Sequence, residues 1–127
     1  LDLGFGKCQL VVAVPENSSI NSINDVPGAA KVATEFPNLS RKYFEGLGKQ
    51  VEILGVRGSS ELAPALGLAQ IIVDVSSSGE TLRKNNLKVI ATVLDSTCRL
   101  SCNKIAYRIF ENEVNEFLAR LRQGGLE

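Results

Sequence analysis

Histidine, methionine and tryptophan are absent from the 127 residues, and the three cysteines, Cys8, Cys98 and Cys102, cannot all pair. Without imidazole the commonest general base is missing, so proton transfer falls to Asp, Glu, Lys or Tyr, and a serine nucleophile has no usual partner. Mechanisms that ask for little proton transfer gain ground. A closed zinc site would need carboxylates beside so few thiols, and no metal site is expected. No disulfide framework is legible, which fits a reducing cytosol. Charge of one sign is lacking too: 14 Lys and Arg balance 14 Asp and Glu. That leaves no basic footprint for nucleic acid or an anionic membrane, and neither is expected as a partner. The longest apolar runs, such as Leu10 to Val14, fall far short of the roughly 20 residues of a spanning helix, and no signal-like stretch opens the chain. The expectation is a soluble, unsecreted domain.

What is present is an alternation of short apolar runs with amphipathic stretches, 44% hydrophobic residues in all. Gln9 to Val14 reads as a buried strand stopped by Pro15, followed by a polar loop from Glu16 to Gly28 with room for one helical turn. Lys31 to Glu35 is a strand, and Pro37-Asn38 opens a helix with Leu39, Tyr43, Phe44 and Leu47 on one face, ended by Gly46 and Gly48. Val51 to Val56 and Ile71 to Val75 are further strands. Between them Gly58 to Glu61 supplies hydroxyl caps to a short helix through Leu66. A helix is expected from Glu80 to Asn85, then two strands, Leu87 to Leu94 and Thr97 to Asn103, around an Asp95-Ser96 turn. From Lys104 the residues Ile105, Ile109, Phe110, Val114, Phe117, Leu118 and Leu121 follow helical spacing. The pattern predicts an α/β fold, a mostly parallel sheet flanked by helices, with a C-terminal amphipathic helix. The expected division is a lobe over 1–103, the helix over 104–123, and a tail over 124–127 that reads as a cloning remnant. The chain opens in mid-pattern without Met, as a piece of a longer protein would.

The segment Asp74-Val75-Ser76-Ser77-Ser78-Gly79-Glu80-Thr81 carries the most chemistry. A strand turning through Ser-Gly into a helix start offers unpaired N–H groups and hydroxyls that converge on a small anion. Gly79 lets the backbone approach, Ser77, Ser78 and Thr81 add donors, and a carboxylate at Asp74 can accept from the hydroxyls of a ribose. Sugar hydroxyls beside a phosphate make a phosphoribosyl site. The plainer alternative is a strand-end Asp followed by an N-cap and a solvated turn. Arg57-Gly58-Ser59-Ser60-Glu61 would lie on the same sheet edge. Glu61 reads either as a ligand contact or as an acidic residue of a first helical turn, and Arg57 as an anion partner or a surface arginine.

Several stretches together resemble the ATP phosphoribosyltransferase family: Asp2 to Cys8 (DLGFGKC), Leu10 to Glu16 (LVVAVPE), Val32 to Leu39 (VATEFPNL), Gly58 to Pro64 (GSSELAP), Gly67 to Leu82 (GLAQIIVDVSSSGETL), Ser96 to Leu100 (STCRL) and Asn103-Lys104. The resemblance implies a periplasmic-binding-protein-like lobe, the second of a two-lobed catalytic core. It implies transfer of ribosyl phosphate from phosphoribosyl pyrophosphate to N1 of ATP, with pyrophosphate leaving and Mg2+ carried by the substrate, as the first step of histidine biosynthesis. Asp74, Ser76, Ser77, Ser78, Gly79, Glu80 and Thr81 would hold the 5-phosphate and ribose, with Glu61, Ser59 and Ser60 lining the same cleft; no catalytic side chain is assigned. ATP and phosphoribosyl pyrophosphate would be the ligands, a homo-oligomer the assembly, with a regulatory subunit in some members, and the cytoplasm the compartment. The family usually has Asp where Gln70 stands, so a carboxylate able to order magnesium or ribose is missing, and Ser101 replaces a typically apolar residue. The chain alone is expected to be a substrate-binding half without transferase activity. Two other classes remain as alternatives: a non-catalytic ligand-binding lobe of a sensor sharing this fold, and an interaction domain that docks through its final helix.

Overall fold

The structure, a computed structural model, describes residues 1–124. Leu10 to Val14 is apolar without alternation because both of its faces are covered, the condition for an interior strand. This run forms strand β1 (Cys8–Pro15), and it sits inside a five-stranded sheet of order β3-β2-β4-β1-β5. The remaining strands are β2 (Ala30–Thr34), β3 (Val51–Gly55), β4 (Ile71–Ser76) and β5 (Leu87–Ser96). β2 runs parallel to both β3 and β4, while β4 pairs antiparallel with β1, Gln9 opposite Ser76 and Ala13 opposite Ile72. The sheet is therefore mixed, with its parallel part at β3-β2-β4.

Period-two alternation divides the core between the two faces. Leu10, Val12, Val14, Val32, Ile71 and Val73 join Phe44 on one face. Val11, Ala13, Ala33 and Ile72 join Ala63, Leu82 and Leu87 on the other. Phe44 belongs to helix α1 (Pro37–Gly46), which begins with Pro at its first position, where no helical N–H is lost. Leu82 belongs to the short helix α2 (Glu80–Lys84), and Ala63 follows a 3-10 turn at Ser60–Leu62.

Three elements depart from the sequence reading. The buried face of α1 is Ser40 and Phe44, while Leu39 and Leu47 are exposed, because Ser40 is drawn inward by a hydrogen bond to Thr34 at 3.2 Å. β5 runs straight through Asp95-Ser96 instead of turning there, and Gln9 Nε2 donates to Asp95 Oδ1 at 2.8 Å beside its end. The final amphipathic stretch is two helices, α3 (Lys104–Ile109) and α4 (Glu111–Gln123), broken at Phe110, whose φ and ψ of −115° and 37° leave the helical region. Among these residues none is fully buried, and Ile105, Ile109, Phe110 and Phe117 are more than half exposed.

The chain divides into two units, Cys8–Asp95 and a second made of Leu1–Lys7 with the segment from Ser96 onward. Within the second unit, Leu1 to Phe5 bonds to the stretch that follows β5. Leu3 N donates to Cys98 O, Cys98 N to Phe5 O, and Leu100 N to Leu1 O, all at 2.8–2.9 Å. Apart from Gly124, the tail expected over 124–127 lies outside the described residues.

Candidate functional site at the carboxyl ends of three parallel strands

β3, β2 and β4 point the same way, so the loops that leave them emerge on one edge of the sheet. Open α/β sheets place their ligands at that edge. Asp74 is the fourth residue of β4 and shares a face with Ile72, the face on which the Ser60–Leu62 turn packs. Ser60, fully buried, donates its Oγ to Asp74 Oδ2 at 2.5 Å, and Val75 N donates to Asp74 Oδ1 at 2.7 Å. The two loops singled out in the sequence are joined by this bond. A carboxylate has about four acceptor positions, so about two remain for a ligand's hydroxyls.

Beyond Asp74 the chain wraps a small cavity of about 90 Å³ lined by Asp74 through Leu82. Its turn depends on Gly79, whose φ of +75° is in the left-handed region where a side chain costs about 1 kcal/mol or more. Ser78 Oγ accepts from Glu80 N at 3.3 Å, closing the turn on itself. Ser77, Ser78, Glu80 and Thr81 are exposed and Ser76 is half-buried. A Cβ at Gly79 would stand 3.8 Å from Arg83 Nη1, so a guanidinium lies over the same turn. Sequence reasoning missed Arg83, although its position four residues after Gly79, one helical turn on, was a usable signal.

The other loop is built differently from its expectation. Ser59 caps nothing with its hydroxyl; it is an exposed residue with φ 52°, following Gly58 at φ +72°. Two left-handed residues in succession turn the chain so that Ser60 points inward at Asp74. Gly58 N donates to the carboxylate of Glu35, the residue immediately after β2. Glu61 is half-buried and lines another concavity, about 500 Å³, with Pro15, Glu16, Asn17, Asn85 and Asn86. A neighbouring one of about 440 Å³ includes Lys31 and Gln70. Gln70 precedes β4, four residues from Asp74 and so about 13 Å away along the strand. It cannot reach the ribose side of the loop. Its Oε1 accepts from Lys31 N at 2.8 Å while its own N donates to Lys31 O at 3.1 Å, a clasp at the start of β2 and β4.

Residues 1–123 match the family HisG, ATP phosphoribosyltransferase. This chain belongs to the ATP phosphoribosyltransferase family. A curated ATP phosphoribosyltransferase of Halothermothrix orenii is 45% identical over 123 residues, which is 97% of this chain and 55% of that protein. One from Methanocaldococcus jannaschii is 55% identical over 104 residues, 82% of this chain and 36% of that protein. The chain thus spans roughly a third to three fifths of the length of such relatives. Among solved structures, an ATP phosphoribosyl transferase (HisG:HisZ) complex from Thermotoga maritima superposes with a TM-score of 0.85 at 31% identity, over 97% of this chain and 59% of that one. The alkanesulfonate-binding protein SsuA from Xanthomonas axonopodis pv. citri superposes at 0.63 with 14% identity, over 91% and 44%, which is a likeness of fold. The periplasmic-binding-protein-like lobe expected from the sequence is the fold observed. A cavity, a guanidinium and a carboxylate held by a buried serine are gathered at one strand end.

Proposed function

We propose that this chain is the phosphoribosyl-binding half of an ATP phosphoribosyltransferase, acting in the cytoplasm at the first step of histidine biosynthesis. Transfer would run from phosphoribosyl pyrophosphate to N1 of ATP, with pyrophosphate as leaving group and Mg2+ arriving on the substrate. The observation that carries this reading is the Ser60 to Asp74 bond, which fixes a carboxylate beside a phosphate-sized turn. The 5-phosphate would occupy the turn of Ser76 to Thr81, taking N–H donors, hydroxyls and the charge of Arg83. The free positions of Asp74 would accept from the ribose hydroxyls. A glycosyl transfer through a cationic sugar asks for alignment and charge placement more than for a base, because the adenine nitrogen is already a nucleophile. A chain without histidine suits that demand. The ATP wall, a homo-oligomeric assembly and a regulatory subunit belong to the whole protein, and the isolated chain is expected to bind without turning over.

Calorimetric titration of the chain with phosphoribosyl pyrophosphate and Mg2+ tests this. Saturable binding is expected, abolished by Gly79→Pro, which cannot adopt φ +75°, and weakened by Thr81→Val, which removes one exposed hydroxyl and leaves the backbone alone. No heat up to millimolar ligand, or binding indifferent to both variants, would sink the assignment.

A further inference from the structure

In the sequence Glu35 stands only at the end of an expected strand and within a matching stretch, with no role in the site. The structure assigns one: Glu35 is a positioning residue that sets the Asp74 carboxylate through the Gly58 to Ser60 loop. Because β2 lies between β3 and β4, its carboxyl end is flanked by the loops that leave both neighbours. Two adjacent residues there reach in opposite directions. Thr34, fully buried, donates its Oγ1 to Val73 O at 2.8 Å, fixing the residue before Asp74. Glu35 takes the Gly58 N–H, fixing the loop whose Ser60 holds Asp74. Val56 N also bonds Thr34 O at 2.9 Å, tethering the start of that loop. The hydrogen bonds and the chain between them close a ring, Thr34, Glu35, Gly58, Ser60, Asp74, Val73 and back to Thr34, with the carboxylate as one member.

The ring explains why an exposed glutamate matters. Gly58 and Ser59 both hold left-handed backbone, and a serine does so at a cost of about 1–2 kcal/mol. Such a turn relaxes unless something outside it over-determines it. Among the described residues the bond that crosses from Gly58 to another strand end is the one to Glu35. Release of that bond lets Ser60 leave Asp74, and the carboxylate loses its side-chain donor before any ligand arrives. Preorganisation of this kind acts on ligand affinity and leaves the phosphate turn itself intact.

The role in affinity rests on the phosphoribosyl reading; the structural coupling does not. The test compares Glu35→Ala, Glu35→Gln, Ser60→Ala and the Glu35→Ala/Ser60→Ala double variant of this chain by two readouts. The first is the Val75 amide resonance, which reports the orientation of Asp74 through the Oδ1 bond. Glu35→Ala should move it toward its position in Ser60→Ala, with no further movement in the double variant, and Glu35→Gln, which keeps an acceptor, should restore it. The second is affinity for phosphoribosyl pyrophosphate with Mg2+, expected to weaken about three- to tenfold in Glu35→Ala, no further in the double variant, and less than about twofold in Glu35→Gln. A Val75 amide unmoved by Glu35→Ala, or losses that add in the double variant, would overturn the proposal. Should Glu35→Ala not fold, Glu35→Met keeps the side-chain volume without the acceptor and bears the same test. A wild-type chain that binds no phosphoribosyl pyrophosphate refutes the functional reading alone, since the Val75 readout still decides whether Glu35 sets Asp74.

Discussion

Replacing Thr34 by valine is a change that hydrophobicity and strand propensity both favour, and the structure says it is costly. The two side chains have the same branched shape, and Thr34 is wholly buried at the carboxyl end of an interior strand. Its hydroxyl, however, donates to Val73 O at 2.8 Å and accepts from Phe36 N at 2.9 Å and from Ser40 Oγ at 3.2 Å. Valine satisfies none of these. The Ser40 hydroxyl can turn to a carbonyl of its own helix, which limits its share of the loss. Phe36 N and Val73 O have no such freedom, and a buried group left unpaired costs about 1–3 kcal/mol. The sum is about 2–6 kcal/mol, less about 1 kcal/mol for the methyl that replaces the hydroxyl. Thr34→Ser keeps the hydroxyl and gives up one buried methyl, about 1 kcal/mol. Urea unfolding should therefore order the proteins wild type, Thr34→Ser, Thr34→Val in falling midpoint with unchanged slope, the valine variant about 1–2 M below wild type. A valine variant within about 0.5 kcal/mol of wild type, or more stable than the serine variant, would refute the reasoning.

The carboxylates of Asp2 and Asp25 are both held below the usual range, Asp2 first by the Gly4 N–H and then by the Thr97 hydroxyl, Asp25 first by the Asn21 N–H and then by Ser22. The folded state then binds fewer protons than the unfolded one, so their contribution is present above the ordinary aspartate value, about pH 4, and is lost as pH falls through the lowered one. Thermal midpoints between pH 2 and 5 should show this acid loss, shallower in Asp25→Asn; an identical profile in that variant would count against it. Ile105, Ile109 and Phe117 are exposed on α3 and α4, so the isolated chain is expected to self-associate, with light scattering showing mass that rises with concentration and falls in Ile109→Glu. A monomer at high concentration would contradict this.

Strands β1 and β4 were legible because interior position writes itself as an unbroken apolar run. The turn from β4 into α2 was legible because few residues other than Gly take φ +75°, and Gly79 stands among hydroxyls. Where a polar side chain is buried by a partner distant in sequence, the pattern misled. Ser40 counts as polar and is not among the residues of the expected apolar face of α1, yet Thr34 draws it in. The break at Phe110 carries neither Gly nor Pro, and no local signal marks it. Gln70 was read for the carboxylate it lacks, whereas its amide completes the ladder between two strand starts. Glu35 was invisible as a site residue because its partner lies 23 residues on, a pairing that exists only once β2 lies between its neighbours.

The position of β1 has a consequence for how the chain is made. It is synthesised first among the strands but is bonded to β4, Gln9 facing Ser76. As residues leave the ribosome at about 5–20 per second, the Leu10 to Val14 run waits roughly 3–12 s for the strand that covers it. During that interval it is the segment a chaperone would grip, and the Pro15-Glu16 pair that follows it, unable to extend an aggregating strand, is the chain's own safeguard until β4 emerges.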